Sequence, residues 1–594
     1  MPSTDHNAPG IDSGAPMVSL ERVSFTYEGE KRPAVRDLSL SIPRGDLLGI
    51  IGPSGSGKTT LASILSGAVP HHFAGEFRGV CRVDGLDTCQ VPLTDVSRRV
   101  GSVLQDIDAQ MVAANVEDEL LFGVENFGVA HDEIPDRVRE ALATCGILDL
   151  AHRDIATLSG GQKQKVAIAA ILALRAPVMV LDEPTAALDP VSSRAVFDTL
   201  RELVTRQDMT VIVIEQKIAL LSEYCDHLAV MDDGDVALHG TPREVLAHGD
   251  ELRRIGVDSP RVTRVSNQFV ARGLIGAPEV CLTVGEAEDL VSRVVGRDAA
   301  DRPRPVAPLR AAQGPGGPGA ASEAVLSLEH VSFTYPGNTA SLVDVSLDVR
   351  PGELVCVIGQ NGAGKTTATK LMNGLLKPSS GRVCITGLDT ALTRTSEIAR
   401  HVSTLFQDPD RQICKGSVVE EVAFSLELLG VPRDEALRRA ADTVDHFSLP
   451  ASAAPFSLGR GQRQIVALAS VVVTNPQVLI LDEPTSGLDY RECMVVMDAV
   501  SAARQQGCAV VMVCHDMEVV SDFATRLVVM ADGRVIADGD VADVFADERV
   551  MRAASVRPPE IARLARRLSE RVSPAYGRAR EVADVVLVTE GLVA

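Results

Sequence analysis

The feature that most constrains this chain is that it is written twice. Val23-Ser24-Phe25-Thr26-Tyr27 returns as Val331-Ser332-Phe333-Thr334-Tyr335, Gly57-Lys58-Thr59-Thr60 as Gly364-Lys365-Thr366-Thr367, and Leu181-Asp182-Glu183-Pro184-Thr185 as Leu481-Asp482-Glu483-Pro484-Thr485. The spacing between copies drifts only from 308 to 299 by the time Ser259-Pro260 meets Pro558-Pro559. That is a tandem duplication of one unit of about 270 residues, not a solenoid of short repeats. Between the copies, residues 299–324 hold five Pro and four Gly with no apolar periodicity, and read as a flexible linker. The expected organisation is a first domain with a C-terminal extension at 17–298, the linker at 299–324, and a second domain with its extension at 325–594.

Within each copy, short runs that are apolar on both faces alternate with helical patterns. Leu47–Ile51, Val178–Leu181 and Val211–Ile214 have counterparts at Leu354–Ile358, Val478–Leu481 and Val510–Val513. Strands of this kind, separated by helices, predict a buried and mostly parallel sheet in an α/β fold. Hydrophobic residues at 45% supply enough material for such cores. With 58 basic against 80 acidic residues the net charge is −22, which argues against a large nucleic-acid footprint. No stretch approaches the ~18 apolar residues of a membrane span. The first seventeen residues lack the basic and apolar regions of a secretory signal. Eleven scattered Cys without a CxxC pair read as reduced cytosolic thiols.

Gly52-Pro53-Ser54-Gly55-Ser56-Gly57-Lys58-Thr59 and Gly359-Gln360-Asn361-Gly362-Ala363-Gly364-Lys365-Thr366 both match GxxxxGK[ST], each between a predicted strand and a predicted helix. Glycines let backbone N–H groups wrap phosphates at a helix N-terminus. Lys58 and Lys365 would reach the β/γ-phosphates, Thr59 and Thr366 would ligate Mg²⁺, and Thr60 and Thr367 would complete the nucleotide-binding loops. Asp182 and Asp482 end apolar strands, where a carboxylate can hold Mg²⁺ through water; Glu183 and Glu483 follow, placed to orient and polarise an attacking water.

Leu158-Ser159-Gly160-Gly161-Gln162 then precedes the helical run Lys163–Leu174. With this signature, the chain resembles an ATP-binding cassette (ABC) ATPase duplicated in one polypeptide. The resemblance implies two tandem P-loop ATPase domains, each a mostly parallel core sheet with an antiparallel β subdomain and a helical subdomain, hydrolysing ATP with Mg²⁺. It implies that Tyr27 and Tyr335 stack on adenine. Gln105 and Gln407 would sense Mg²⁺ and link the site to a membrane partner, and Asp189 and Asp489 match the acidic residue of the loop after the catalytic Glu. His515 matches the switch histidine. In this family a nucleotide lies between the phosphate loop of one half and the signature of the other.

Two motifs depart from the pattern. Gln216 stands where the first half should have its histidine, and the second signature reads Leu458-Gly459-Arg460-Gly461-Gln462, with Gly459 for Ser and Arg460 for the first Gly. Both departures fall in the site that joins Lys58 to the second signature. The expectation is therefore that the site of Lys365, Glu483 and His515 with Ser159, Gly160, Gly161 and Gln162 hydrolyses, while the other chiefly binds.

Gln407-Asp408-Pro409-Asp410-Arg411-Gln412 with Val419–Phe424, and the segments Ser259–Arg264 and Pro558–Arg563, resemble the ATPases of energy-coupling-factor (ECF) importers. That resemblance implies a transmembrane coupling subunit and a separate substrate-binding membrane subunit, a peripheral place on the cytoplasmic face of the cell membrane, and a small nutrient such as a vitamin or metal ion as cargo. The alternative is a soluble twin-cassette ATPase acting on ribosomes or nucleic acid. His71-His72 reads as a solvated loop, and the helix around Arg563, Arg566 and Arg567 as a solvated or subunit-contacting face.

Overall fold

The computed structural model describes residues 15–104, 107–186, 188, 190–296, 323–337 and 340–593. Most of the linker, through Ser322, lies outside them, as do Gln105 and Asp189. By internal contacts the chain divides into two compact units, Met1–Leu188 with Ser192–Val245, and Asp189–Val191 with Leu246–Ala594.

In the first unit, β1 (Val18–Tyr27), β2 (Val35–Ile42), β4 (Gly75–Val83) and β5 (Leu86–Asp87) form an antiparallel sheet of order β2-β1-β4-β5. A six-stranded sheet of order β10-β9-β3-β8-β7-β6 combines β3 (Leu47–Ile51), β6 (Val100–Val103), β7 (Val178–Asp182), β8 (Thr210–Ile214), β9 (His227–Asp232) and β10 (Asp235–Gly240). All its pairings are parallel except that of β10 with β9. Every residue of β3, β7 and β8 is buried, as strands covered on both faces require. Helices Val116–Asn126, Ile134–Thr144 and Gly160–Leu174 make the helical layer.

The second unit repeats the plan. Strands β11 (Leu326–Thr334), β12 (Ala340–Val349), β14 (Ser380–Ile385) and β15 (Leu388–Asp389) pair as β12-β11-β14-β15. Strands β13 (Leu354–Ile358), β16 (Val402–Leu405), β17 (Val478–Asp482), β18 (Ala509–Val513), β19 (Arg526–Ala531) and β20 (Arg534–Gly539) pair as β16-β17-β18-β13-β19-β20. This unit also holds a separate helical core. Val262, Val265, Phe269, Leu290 and Val291 of helices Arg261–Ala271 and Val284–Val295 join one apolar cluster with Ile561, Leu564, Leu568 and Val585 of helices Glu560–Arg571 and Val582–Val593. The segments after the two repeats thus share one core.

Register gathers the chemistry at one sheet edge. Ile50 lies beside Ile214, and Ile214 beside Asp182. In the second unit Val357 lies beside Val513, and Val513 beside Asp482. The glycine loop after the β3 or β13 strand, the Asp-Glu pair, and Gln216 or His515 therefore emerge at the carboxyl ends of adjacent parallel strands, where open α/β sheets bind ligands.

Candidate nucleotide sites

Each glycine loop is held by close backbone approach. A Cβ on Gly52 would meet the Met231 carbonyl oxygen at 2.4 Å, and one on Gly359 the Met530 oxygen at 2.2 Å, so neither position accepts a side chain. The lysines are buried and folded into their own loops. Lys58 Nζ donates to the Gly52 and Pro53 carbonyls at 2.8 and 2.7 Å; Lys365 Nζ donates to those of Gly359 and Gln360 at 2.7 and 2.9 Å. The hydroxyls of Tyr27 and Thr60 lie 3.2 Å apart, and those of Tyr335 and Thr367 3.5 Å apart, tying each aromatic to the helix that follows its loop.

The strand-end carboxylates differ between the cassettes. Burial raises the Asp182 pKa, against the Thr59 hydroxyl and Lys58. Burial likewise raises Asp482, helped by Glu483 and opposed by Thr366 and Lys365. Asp482 Oδ1 is buried without a hydrogen-bond partner. An orphaned carboxylate oxygen beside a threonine hydroxyl, a buried lysine and a glycine loop that admits no side chain fits Mg²⁺ with a polyphosphate. Among the described residues no group of three His, Cys, Asp or Glu could hold a metal by itself, so such an ion needs ligands beyond the protein carboxylates.

Both glutamates sit in the left-handed backbone region, Glu183 at φ 50° and Glu483 at φ 53°. Non-glycine residues enter that region at a cost and are held there by surrounding structure. Here the Glu183 and Glu483 amides donate to the Ile214 and Val513 carbonyls. The side chains then part company. Glu483 Oε1 lies 2.9 Å from His515 Nε2, and Oε2 accepts from Gln407 Nε2 at 3.0 Å. Burial alone would raise its pKa, but those partners outweigh it and the net direction is downward. Glu183 Oε1 accepts from Gln216 Nε2 at 2.8 Å. Burial, with Glu215 and Asp182 close by, pushes its pKa up to about 7.

The signatures differ as their sequences do. Ser159 caps helix Gly160–Leu174 in a full capping box, its hydroxyl accepting from Gln162 N at 3.3 Å while Gln162 Oε1 accepts from Ser159 N at 3.0 Å. Gly459 occupies the same cap position of helix Arg460–Val472 with no side-chain bond. The exposed Arg460 guanidinium lies 3.6 Å from where a Gly487 side chain would begin, against the turn after Glu483. A Cβ at Gly461 would meet the Glu492 carboxylate, and one at Gly161 the Ser192 side chain at 3.2 Å, so the helix that follows packs closely on each signature.

Family comparison settles what this framework is. The ABC transporter family pattern matches residues 35–186 and again 342–486. The chain belongs to the ABC transporter family. Its relatives include a protein of Caldanaerobacter subterraneus subsp. tengcongensis, 33% identical over 569 residues that span 93% of this chain and 96% of the relative. One from Methanosarcina acetivorans is 34% identical over 558 residues, covering 93% and 90%, and one from Vibrio vulnificus is 30% identical over 563 residues, covering 93% and 95%. All three bear names of ABC transporter ATP-binding proteins. The protein is an ABC ATPase of two cassettes that binds ATP with Mg²⁺.

Several residues escaped sequence reasoning. Glu215, Lys217 and Thr185 form a hydrogen-bonded network in the first cassette. Glu119 Oε2 accepts from Val112 and Ala113 amides at 2.9 and 2.7 Å, and Glu421 Oε2 from Cys414 and Lys415 amides at 2.8 and 2.7 Å. Their repetition within otherwise acidic helix starts was the available signal. His71 and His72 are both exposed, as a solvated segment requires, although His71 ends a short helical turn, Ala68–His71, with its Nε2 2.8 Å from the Thr88 carbonyl. The arginine helix keeps a solvated face: Arg566 and Arg567 are exposed, Arg567 pairing with Glu288 and Arg566 with Glu548 and Glu570.

Proposed function

We propose that this chain is the ATP-hydrolysing subunit of an ECF-type importer for a small nutrient, such as a vitamin or metal ion. It would act at the cytoplasmic face of the cell membrane beside a transmembrane coupling subunit and a separate substrate-binding membrane subunit. In this reading the cassettes are 17–298 and 325–594, joined by 299–324. The observation that carries it is the repeated segment after Gln105 and Gln407. There, exposed apolar side chains, Leu104, Val112 and Phe122 in one cassette and Phe406 and Leu428 in the other, flank loops pinned by a buried glutamate. Apolar surface beside the nucleotide site suits a coupling partner better than it suits ribosomal or nucleic-acid contact. Among the described residues no helix is long and apolar enough to cross a membrane, so the crossing is assigned to partners.

In this reading Lys58 and Lys365 exchange their loop carbonyls for phosphate oxygens. Thr59 with Asp182, and Thr366 with Asp482, hold Mg²⁺, and Tyr27 and Tyr335 carry the adenine. Bound ATP supplies a γ-phosphoryl group that water can attack. Glu483, kept ionised by His515 and Gln407, orients that water and accepts its proton. Glu183 faces an uncharged amide in place of an imidazole and lies among like charges, which leaves it less readily ionised than Glu483. The second cassette's machinery therefore carries turnover and the first chiefly retains nucleotide. Purification from detergent-solubilised membranes tests the assignment. Co-purifying integral membrane proteins are expected, and capture of ribosomal or nucleic-acid partners alone would refute it.

A further inference from the structure

A triplet follows β8 in one cassette and β18 in the other, and the two triplets differ in chemistry. The second cassette has Cys514, His515 and Asp516; the first has Glu215, Gln216 and Lys217. Asp516 does a helix's work, accepting from the amides of Glu518 and Val519 as the cap of helix Met517–Phe523. Cys514 is buried, with its Sγ 3.9 Å from the Thr485 hydroxyl.

In the first cassette the cap is given up. Lys217 holds the N-cap position of helix Ile218–Tyr224 without a side-chain cap bond. Its Nζ instead reaches back and donates to the Thr185 carbonyl at 2.6 Å, the Leu188 carbonyl at 3.2 Å and Ser193 Oγ at 3.1 Å. Glu215, 2% exposed, completes the arrangement. Its Oε2 accepts from the Thr185 amide and hydroxyl at 3.2 and 2.5 Å, and its Oε1 from the Gln216 amide at 2.9 Å and the Lys217 amide at 3.4 Å. Thr185 is thus gripped at its amide, its hydroxyl and its carbonyl, two residues after Glu183. Charge-assisted bonds inside a low-dielectric interior are the stronger kind, and a satisfied network of them selects one conformation.

We propose that Glu215 and Lys217 are positioning residues that clamp the turn carrying Thr185 and Leu188, so that the first cassette holds its nucleotide where the second turns it over. This rests on the asymmetric reading above and adds a cause that Gln216 alone does not supply. A histidine restored at 216 would still stand beside a locked turn.

Hydrogen exchange on the full-length chain tests it. Amides of 184–193 should exchange at least about tenfold more slowly than those of 484–493. Lys217→Ala should remove that difference, and Lys217→Arg, which keeps a charged multiple donor, should restore most of it. Radiolabelled ATP retained through rapid desalting should fall with Lys217→Ala and recover with Lys217→Arg, a rescue that a general packing defect would not show. If Lys217→Ala also loosens β7 and β8, and so fails to fold, the pair Glu215→Cys with Lys217→Asp installs the second cassette's own chemistry and is read in the same way. Unchanged exchange at 184–193 in a folded variant overturns the clamp. Equal turnover losses from Glu183→Gln and Glu483→Gln would instead overturn the asymmetry, leaving the exchange result to stand.

Discussion

At the scale of single residues, two side chains decide how alike the two cassettes are. Glu483 has an imidazole and an amide on its two oxygens; Glu183 has an amide and a buried carboxylate neighbour. Removing the charge of the glutamate proposed to orient water should therefore matter unequally. Glu483→Gln is expected to nearly silence ATP turnover of the assembled complex, a loss of order 10²–10³. Glu183→Gln should leave a substantial fraction, and steady-state phosphate release for the two variants side by side is the measurement. Lys365→Ala should cost a similar factor, because it removes the buried ammonium that lies against the loop carbonyls and that is proposed to clamp phosphate. Wild-type turnover in that variant would remove the second cassette from the mechanism.

At the scale of elements, the signature helices show what one hydroxyl does. The Ser159 capping box satisfies orphan amides that Gly459 leaves to solvent. Ser159→Ala should destabilise its unit by ~1 kcal/mol, while Gly459→Ser should stabilise the other by only a few tenths, since glycine is itself a tolerable cap. Urea unfolding of each variant resolves the difference, and a larger effect at 459 than at 159 would contradict it. The same economy explains Lys217, where a helix start goes uncapped and a turn is held in exchange.

At the scale of the whole molecule, the helical core after the repeats meets helix Met517–Phe523 through a partly buried charge cluster. Arg261 pairs with Asp522 at 2.6 Å and lies 3.5 Å from Glu518, and the Glu560 amide donates to Glu518 at 2.7 Å. Burial, with Glu560 nearby and Arg261 opposing, pushes Glu518 up to about 8; burial pushes Asp522 up to about 6, against Arg261. Asp516 faces Glu518, Glu581 and Arg264 face Asp522, and Asp258 faces Arg261. A carboxyl whose folded pKa is raised takes up protons on folding. Its contribution is present in full below the unfolded value, 4.5 for Glu518 and 3.8 for Asp522, and is lost as pH rises toward the folded values of about 8 and about 6. Thermal stability of this unit should therefore fall between pH 5.5 and 8.5, and Glu518→Gln should flatten most of that slope. A slope unchanged in the variant would place the titration elsewhere.

The duplication, both phosphate loops, the strand-end carboxylates and the parallel core were legible in the residues themselves. Each is a local pattern, of glycine spacing, apolar runs ending in acid, or a repeated pentapeptide, and local patterns survive being read in one dimension. The absence of a histidine at 216 and of a serine at 459 was equally plain. What the string could not carry were partnerships between residues far apart in it. Glu215 and Lys217 look like a solvated charge pair until β8 is laid beside β7 and brings them to Thr185. Glu119 and Glu421 look like ordinary acids at helix starts until their carboxylates turn back onto loop amides. Helices Arg261–Ala271 and Glu560–Arg571 show no sign in sequence that they share a core, because amphipathic faces record that something will cover them and not what. Composition and spacing determined which chemistry each cassette owns; strand register and long-range packing decided which of those groups are buried, which are paired, and hence how differently the two copies can use it.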